Sequence, residues 1–455
     1  MSTFSHAIPY HHQQHPIFQG IPSLQLKKPA LLYKLSLILL AILVLALIIT
    51  LKAKAGSIYE TSPFLLFYTI LVTSFELSRL LGAILFKRID EKIINPEEIE
   101  LQEEYEPTVS IIIPCKNEEQ CIENTVKKCF SAEYPKEKIE VIVINDGSTD
   151  KTGEVLERMK VQYPHLKVIQ WKKNRGKRHG MAAGFKKAKG EIVLQLDSDS
   201  YMDPKTFRNI IKPFVHKEIA AVCAHADPEN ADLNTLTKMQ AAYYFMSFRI
   251  MKAAESVFLT VFCCSGCSSA YRREVVMPIL DTWLHETFLG LPVTWGDDRA
   301  LTNWVLRLGY RSIYTDQAKA FTIVPTTLKQ FLKQQTRWKK GWFVNSMFAS
   351  QFIYKRHPFV ALSYFFPLIL ITILTPFMAA KALVYNPVVH GIPPYYYIAG
   401  VFLVATMITI YYRWVSRENK YWPYLFVWSG INLIFLSCLL FYALATIQDR
   451  KWGTR

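Results

Sequence analysis

Five long apolar runs decide most of what this chain of 455 residues can fold into. They cover residues 35–51, 63–86, 358–380, 391–412 and 421–447. A helix needs about 20 apolar residues to cross a bilayer, and each run comes close to or exceeds that length. The chain therefore reads as a multi-pass membrane protein with the lipid bilayer as a partner. Composition agrees, since 51% of the residues are hydrophobic. The formal charge of +16 alone would permit nucleic-acid binding, but Lys27, Lys28, Lys34, Lys87, Arg88, Arg413 and Arg417 flank the apolar stretches. Cations in such places anchor helix ends and mark the cytosolic side, so no nucleic-acid partner is expected. By the same bias the loop 413–420 is cytosolic and the loop 381–392, with only Lys381, lies outside. Glu76 and Arg79 stand three residues apart in the second run, an expected pair on one helix face. The first thirty residues, with His11, His12 and His15, read as a disordered tail without a cleavable signal peptide.

Between the second and third runs the pattern changes. Residues 109–113, 139–144 and 191–196 are short apolar runs, mostly β-branched, that end in polar loops, with helical patterns over 119–130 and 151–162 between strands. Strand, helix, strand with acidic residues at the strand ends predicts a parallel α/β domain over 107–325, whose ligands sit beyond the carboxyl ends of the strands. Two further runs, 236–257 and 327–353, mix cations with aromatics and read as helices lying in the membrane interface. Eight scattered cysteines do not make a disulfide framework. Cys264 and Cys267 form a C-x-x-C with no second pair to complete a zinc site, so a structural or acceptor-lining role is expected.

Four clusters carry the chemistry. Asp146 ends an apolar strand in an Asn-Asp-Gly-Ser turn, where a carboxylate can accept from a uracil or ribose; an ordinary loop is the alternative. Asp197 and Asp199, two residues apart after another strand, can offer oxygens to Mg²⁺ or Mn²⁺ and through it to a diphosphate. Lys177 and Arg178 could grip phosphate oxygens. Asp297 and Asp298 open a helical pattern, as helix caps or as the base that a transfer to a hydroxyl requires, or both. Gln334, Arg337 and Trp338 offer an amide, a guanidinium for pyrophosphate and a flat ring for a sugar, although a lone tryptophan there is often an interfacial anchor.

In order and spacing these clusters resemble the processive family-2 glycosyltransferases, the group of cellulose, chitin and hyaluronan synthases. The segment from Phe262 through Cys264 and Cys267 to Tyr271, the Gly296-Asp297-Asp298-Arg299 run with Leu301 and Asn303, the doubled Gln334-Gln335 and the terminal Trp452-Gly453-Thr454-Arg455 are most similar to hyaluronan synthases. Cys267-Ser268 departs from that group's Pro-Leu, and Asn145 from a common first aspartate. The resemblance implies a GT-A (Rossmann-like) α/β domain, cytosolic, joined to an α-helical transmembrane bundle at the plasma membrane. It implies a UDP-sugar donor, a divalent metal (Mg²⁺ or Mn²⁺) and a growing β-linked polysaccharide. It assigns Asp298 as base beside Asp297, and Asp199 to the metal. Asp146, Lys177, Asp197, Gln334 and Arg337 fall on the nucleotide, and Trp338, Cys264 and Trp452 on the acceptor. A chitin-type or other β-glycan synthase, or a non-processive transferase acting on a lipid carrier, are the rival readings. The last run, 421–447, holds more residues than one crossing needs and contains Pro423, Ser429, Gly430 and Asn432. This predicts a broken or re-entrant segment within 358–455 that returns to the cytosolic side, with a plain fifth helix and an external tail as the alternative.

Overall fold

A computed structural model describes residues 28–54, 63–94 and 105–449. The expected tail and the terminal Trp452 to Arg455 lie outside the described residues. The runs that are apolar on all sides form helices, and among the described residues four are long and apolar enough to span a bilayer: Leu31–Lys54, Pro63–Lys87, Pro358–His390 and Tyr395–Val415. Leu39, Leu43, Ile49 and Leu81 project outward from the first two with half or more of their surface exposed. Apolar belts of that extent suit lipid and not water. The spans are tied to one another: Leu37, Val44 and Ile48 pack on Ile410, and the Tyr68 hydroxyl meets Thr375 Oγ1 at 2.8 Å. The expected Glu76–Arg79 pair does not form. Arg79 instead lies over the Tyr364 ring at 4.4 Å and donates to Ser78 Oγ.

The intervening segment folds as an eight-stranded mixed sheet. Strands β1 (Val109–Cys115), β2 (Ile139–Asn145), β3 (Leu166–Gln170) and β4 (Ile192–Gln195) are parallel neighbours. Strand β7 (Ser269–Arg272) joins β4 antiparallel, and β6 (Ile219–Pro228) runs beside β10 (Arg311–Thr322). Strand β5 (Ser200–Met202) closes the far edge on β10, which gives the order β3-β2-β1-β4-β7-β6-β10-β5, while β8 (Thr287–Phe288) and β9 (Leu291–Pro292) pair in a separate two-stranded ribbon. Every residue of β1 is buried, as befits a strand covered on both faces, which is why its sequence is a continuous apolar run. The loops after β1, β2 and β4 open at one edge of the sheet, and all the predicted acidic motifs up to Asp199 emerge there.

The helix over 235–256 does not lie in an interface as its composition suggested. It is a buried connector between sheet and spans, with Met239, Ala242, Phe245, Ile250 and Ala253 inside. Two of its cations are satisfied internally: Arg249 pairs with Asp316 and Lys252 donates to the Cys263 carbonyl. A second helix, Leu328–Ser350, crosses beside the helix Asp297–Arg307 and carries the Gln-Arg-Trp residues. The last apolar run is bent by 43° between Tyr424–Leu436 and Leu439–Ala445. Both of its ends sit against the α/β unit or its adjoining helix. Before it, Lys420 pairs with Asp232 at 2.8 Å; after it, Ile447 packs near Val293 and Trp295, and the Asp449 carbonyl accepts from Lys340 Nζ at 3.0 Å.

Candidate active site

A single cavity of about 950 Å³ begins at the open edge of the sheet and continues between the spans. At the sheet end it is lined by Lys177, Asp197, Asp199, Asp298, Arg337 and Trp338. Deeper in the bundle its walls are Tyr68, Thr69, Glu76, Thr375 and Tyr397.

Asp298 is part of the cavity wall. Gly296, in the left-handed region at φ 65°, turns the chain so that Asp297 and Asp298 form the first turn of the helix Asp297–Arg307. One Asp298 oxygen accepts the Gly266 N–H at 3.0 Å, and the other accepts the Arg299 N–H at 2.7 Å. Two backbone donors fix the carboxylate in place and leave it facing the cavity. The Cys263 thiol lies 3.8 Å from the same oxygen that Gly266 holds. Burial, with Asp298 beside it, pushes that thiol up to about 12, so it stays protonated.

Lys177 opens the helix Lys177–Lys187 directly after Gly176. Its Nζ lies 2.5 Å from Asp197 Oδ1 and 3.4 Å from Asp297 Oδ2. Burial opposes the ammonium charge, but Asp197 and Asp297 outweigh it and hold its pKa above the ordinary lysine value. For Asp297, burial alone would raise the pKa; Lys177 and Arg178 bring it below the usual carboxylate range. The three charges form one salted knot that links β4 to the Asp297 helix. Arg178, by contrast, points away, pairing with Glu286 at 2.9 Å and donating to the Trp283 carbonyl.

Asp146 follows β2 as expected, yet both its oxygens are taken by backbone. Arg175 N–H reaches one at 2.6 Å and Gly176 N–H the other at 2.8 Å. It is 4% exposed and absent from the cavity wall, so it clamps the loop that delivers Lys177. Cys264 does not line the cavity either. Its side chain is fully buried, while its N–H donates to Thr302 Oγ1. The neighbours Cys263, Ser265, Gly266 and Cys267 form that part of the wall. Trp338 lies at the cavity with its ring 6.5 Å from that of Tyr243, which in turn stacks on Trp428 at 3.9 Å. Gln334 lines the cavity and is 8% exposed, while its Oε1 is buried and has no hydrogen-bond partner among the described residues.

Sequence reading passed over three contributors: Tyr243, the thiol of Cys263 and the glycine pair 296/341. The Gly341 backbone rests directly on Gly296, and a glycine in mid-helix facing a Gly-Asp-Asp turn was the one available signal of that contact. Among the described residues no three His, Cys, Asp or Glu side chains converge as a ready-made metal site. What Asp197 and Asp199 provide is a pair of hard oxygen donors that a nucleotide's phosphates would complete, a donor set that suits Mg²⁺ or Mn²⁺.

The Glycosyl transferase family 2 profile matches residues 110–280. A hyaluronan synthase of Streptococcus pyogenes serotype M1 is 32% identical over 355 residues, spanning 76% of this chain and 83% of the relative. An N-acetylglucosaminyltransferase of Rhizobium meliloti (strain 1021) is 29% identical over 410 residues, 85% of this chain and 89% of that one. Among solved structures, a mannosyltransferase of Pyrobaculum calidifontis in complex with GDP-Man and Mn²⁺ aligns with a TM-score of 0.49 at 18% identity. That alignment covers 85% of this chain and 100% of the other.

Proposed function

We propose that this chain, which belongs to glycosyltransferase family 2, polymerises UDP-sugars by inverting transfer and passes the β-linked product into its own membrane helices. The observation that carries this reading is Asp298 on the wall of one cavity that the Asp197 and Asp199 carboxylates and the membrane spans also line. In the step proposed, the acceptor hydroxyl attacks the anomeric carbon, the bond from that carbon to the diphosphate oxygen breaks, UDP leaves and Asp298 takes the hydroxyl proton. Backbone donors from Gly266 and Arg299 orient that carboxylate, and positioning of this kind supplies a large share of the rate. Lys177 and Arg337 are suited to the diphosphate, Trp338 to the face of the acceptor sugar and Gln334 to a polar group of either. Asp199, with Asp197, would hold a divalent cation, which neutralises charge on the leaving diphosphate. Asp146 serves the nucleotide through the 171–176 loop that it clamps.

Hyaluronan, from UDP-GlcNAc and UDP-GlcA, is the product we favour, on the strength of the motif resemblance and the 32% identity to streptococcal hyaluronan synthase. Similarity to N-acetylglucosaminyltransferases supports a second reading, a chitin-type product made from UDP-GlcNAc alone. In both readings the α/β unit faces the cytosol, where nucleotide sugars are available, and the chain resides in the plasma membrane. Purified protein supplied with Mg²⁺ or Mn²⁺ and each UDP-sugar singly, then in pairs, separates them. Sustained UDP release only with UDP-GlcNAc and UDP-GlcA together supports hyaluronan. Release with UDP-GlcNAc alone selects the chitin-type reading, and no release with any donor refutes both.

A further inference from the structure

The base is held by the loop 262–266, and that loop is itself anchored at the membrane side by a buried acid the transfer chemistry does not use. Glu255, near the end of the connector helix, is 6% exposed. One of its oxygens accepts the Phe262 N–H at 2.9 Å, and the other accepts the hydroxyl of Tyr364. Tyr364 lies in the first turns of the span Pro358–His390. Its ring is stacked on Phe262 at 5.4 Å and on Phe75 at 5.8 Å, beneath the Arg79 guanidinium. From Phe262 the loop runs straight to the reacting end of the site. Lys252 holds the Cys263 carbonyl, Thr302 holds the Cys264 N–H, and Gly266 N–H grips Asp298.

We infer that Glu255 is a positioning residue: through the Phe262 backbone and the Tyr364 hydroxyl it fixes loop 262–266, and hence Asp298, relative to the membrane span that walls the product's passage. The inference rests on the transferase reading of Asp298. A buried carboxylate that accepts two hydrogen bonds and lines neither the cavity nor the protein surface has no binding partner to recognise. Its two hydrogen bonds join three elements, connector helix, acceptor loop and span, and its charge lies among the cations Arg79, Lys252 and Arg299. Removing it leaves the Phe262 N–H and the Tyr364 hydroxyl without their acceptor inside a packed cluster, and the loop they define is then free to drift from Asp298.

The test compares Glu255→Ala, Glu255→Gln and Tyr364→Phe in the full chain, in detergent or lipid nanodiscs. An amide can still accept from Phe262 and donate to Tyr364, so Glu255→Gln should retain kcat within about threefold of the parent. Glu255→Ala should lower kcat by about 100-fold, the effect of roughly a 1 Å misplacement, with donor KM changed by less than about twofold. Alkylation of Cys263 by N-ethylmaleimide, read by peptide mass spectrometry, should be about tenfold faster in Glu255→Ala than in the parent or Glu255→Gln, as the loop opens more often. If Glu255→Ala does not fold, Tyr364→Phe decides, with kcat lowered about three- to tenfold and faster Cys263 labelling expected. Parental kcat and labelling in Glu255→Ala, or in Tyr364→Phe should that variant decide, would overturn the inference, as would equal damage from Gln and Ala. A parent that releases no UDP would refute the transferase reading instead, and the labelling rates would still decide the positioning.

Discussion

Replacing Gly341 by alanine should separate catalysis from nucleotide binding. A Cβ at this position would stand 2.9 Å from Gly296 Cα, 3.0 Å from Gly296 N and 3.4 Å from the Trp295 carbonyl carbon. Carbon atoms pack best at about 3.5–4.0 Å, so relief needs a displacement of about 0.5–1 Å. Every atom in the way is backbone, and no side chain can rotate aside. Gly296 cannot absorb the shift cheaply, because its φ of 65° sets the first turn of the Asp298 helix. The Gln-Arg-Trp helix must therefore lift away from Asp298. Overpacking of this kind costs about 1–3 kcal/mol of stability, so the protein should still fold. A displacement approaching 1 Å between Asp298 and Trp338 should lower kcat by about 100-fold. The assay is UDP release under saturating donor, alongside UDP affinity by calorimetry, with Gly430→Ala as control because nothing lies within 4 Å of its added methyl. Parental turnover in Gly341→Ala would refute the contact's role. Equal loss in Gly430→Ala would show that the assay reports general damage.

Asp298→Asn should abolish UDP release on transfer, a loss of at least about 10²-fold, while leaving UDP affinity within about twofold, since only proton removal is lost; retained polymer synthesis would rule Asp298 out as the base. Lys177→Met leaves Asp197 and Asp297 facing each other without their cation and should destabilise the fold by about 3–5 kcal/mol, read from the denaturation midpoint. Because the folded pKa of Asp297 is depressed, the stability from this knot is complete above the ordinary carboxylate pKa of about 4 and fades as pH falls below it. A pH-independent midpoint between about 6 and 3 would contradict that sign. Lys339, half-buried at the cavity wall, has its ammonium pushed down to about 8 by desolvation. The folded chain binds this proton less tightly than the unfolded one, so stability from this site should rise between about pH 8 and 10.5, and acylation of Lys339 should be half-maximal near pH 8. A half-maximum near 10 would show a solvated amine.

Much of this site could be read from residues whose type and environment agree. The runs that became β1, β2 and β4 are continuous and apolar because both faces are covered, and an aspartate at the end of β2 or just beyond β4 then has to lie at the open edge. Strands β6 and β10 were illegible for opposite reasons. The first is rich in alanine, a poor strand former. The second carries Thr315, Asp316, Gln317 and Lys319 in place of a clean alternation, because its partners, such as Arg249 on the connector helix, accept polar groups. The connector's cations read as an interfacial face since a sequence cannot say that Arg249 and Lys252 have internal partners. Motif order likewise lacks direction. It put Cys264 in the acceptor segment, yet the backbone turns that thiol inward and offers Cys263, one residue earlier. Asp146 shows the same limit, as an acid at the right strand end whose oxygens the 175–176 backbone claims first. Length and breakers did signal the bent last segment, through Pro423 and Gly430, although the bend itself falls between Leu436 and Leu439.

The central claim is that Asp298 builds a polymer which leaves through the cavity between the spans. Proteoliposomes whose α/β units face outward test it directly. They are supplied outside with both UDP-sugars and a divalent cation, followed by a polysaccharide lyase. The account predicts that labelled polymer accumulates in the lumen, resistant to the lyase until detergent is added, and that none forms with Asp298→Asn. Polymer fully digested before detergent would contradict the passage through the spans, and polymer made by Asp298→Asn would contradict the site.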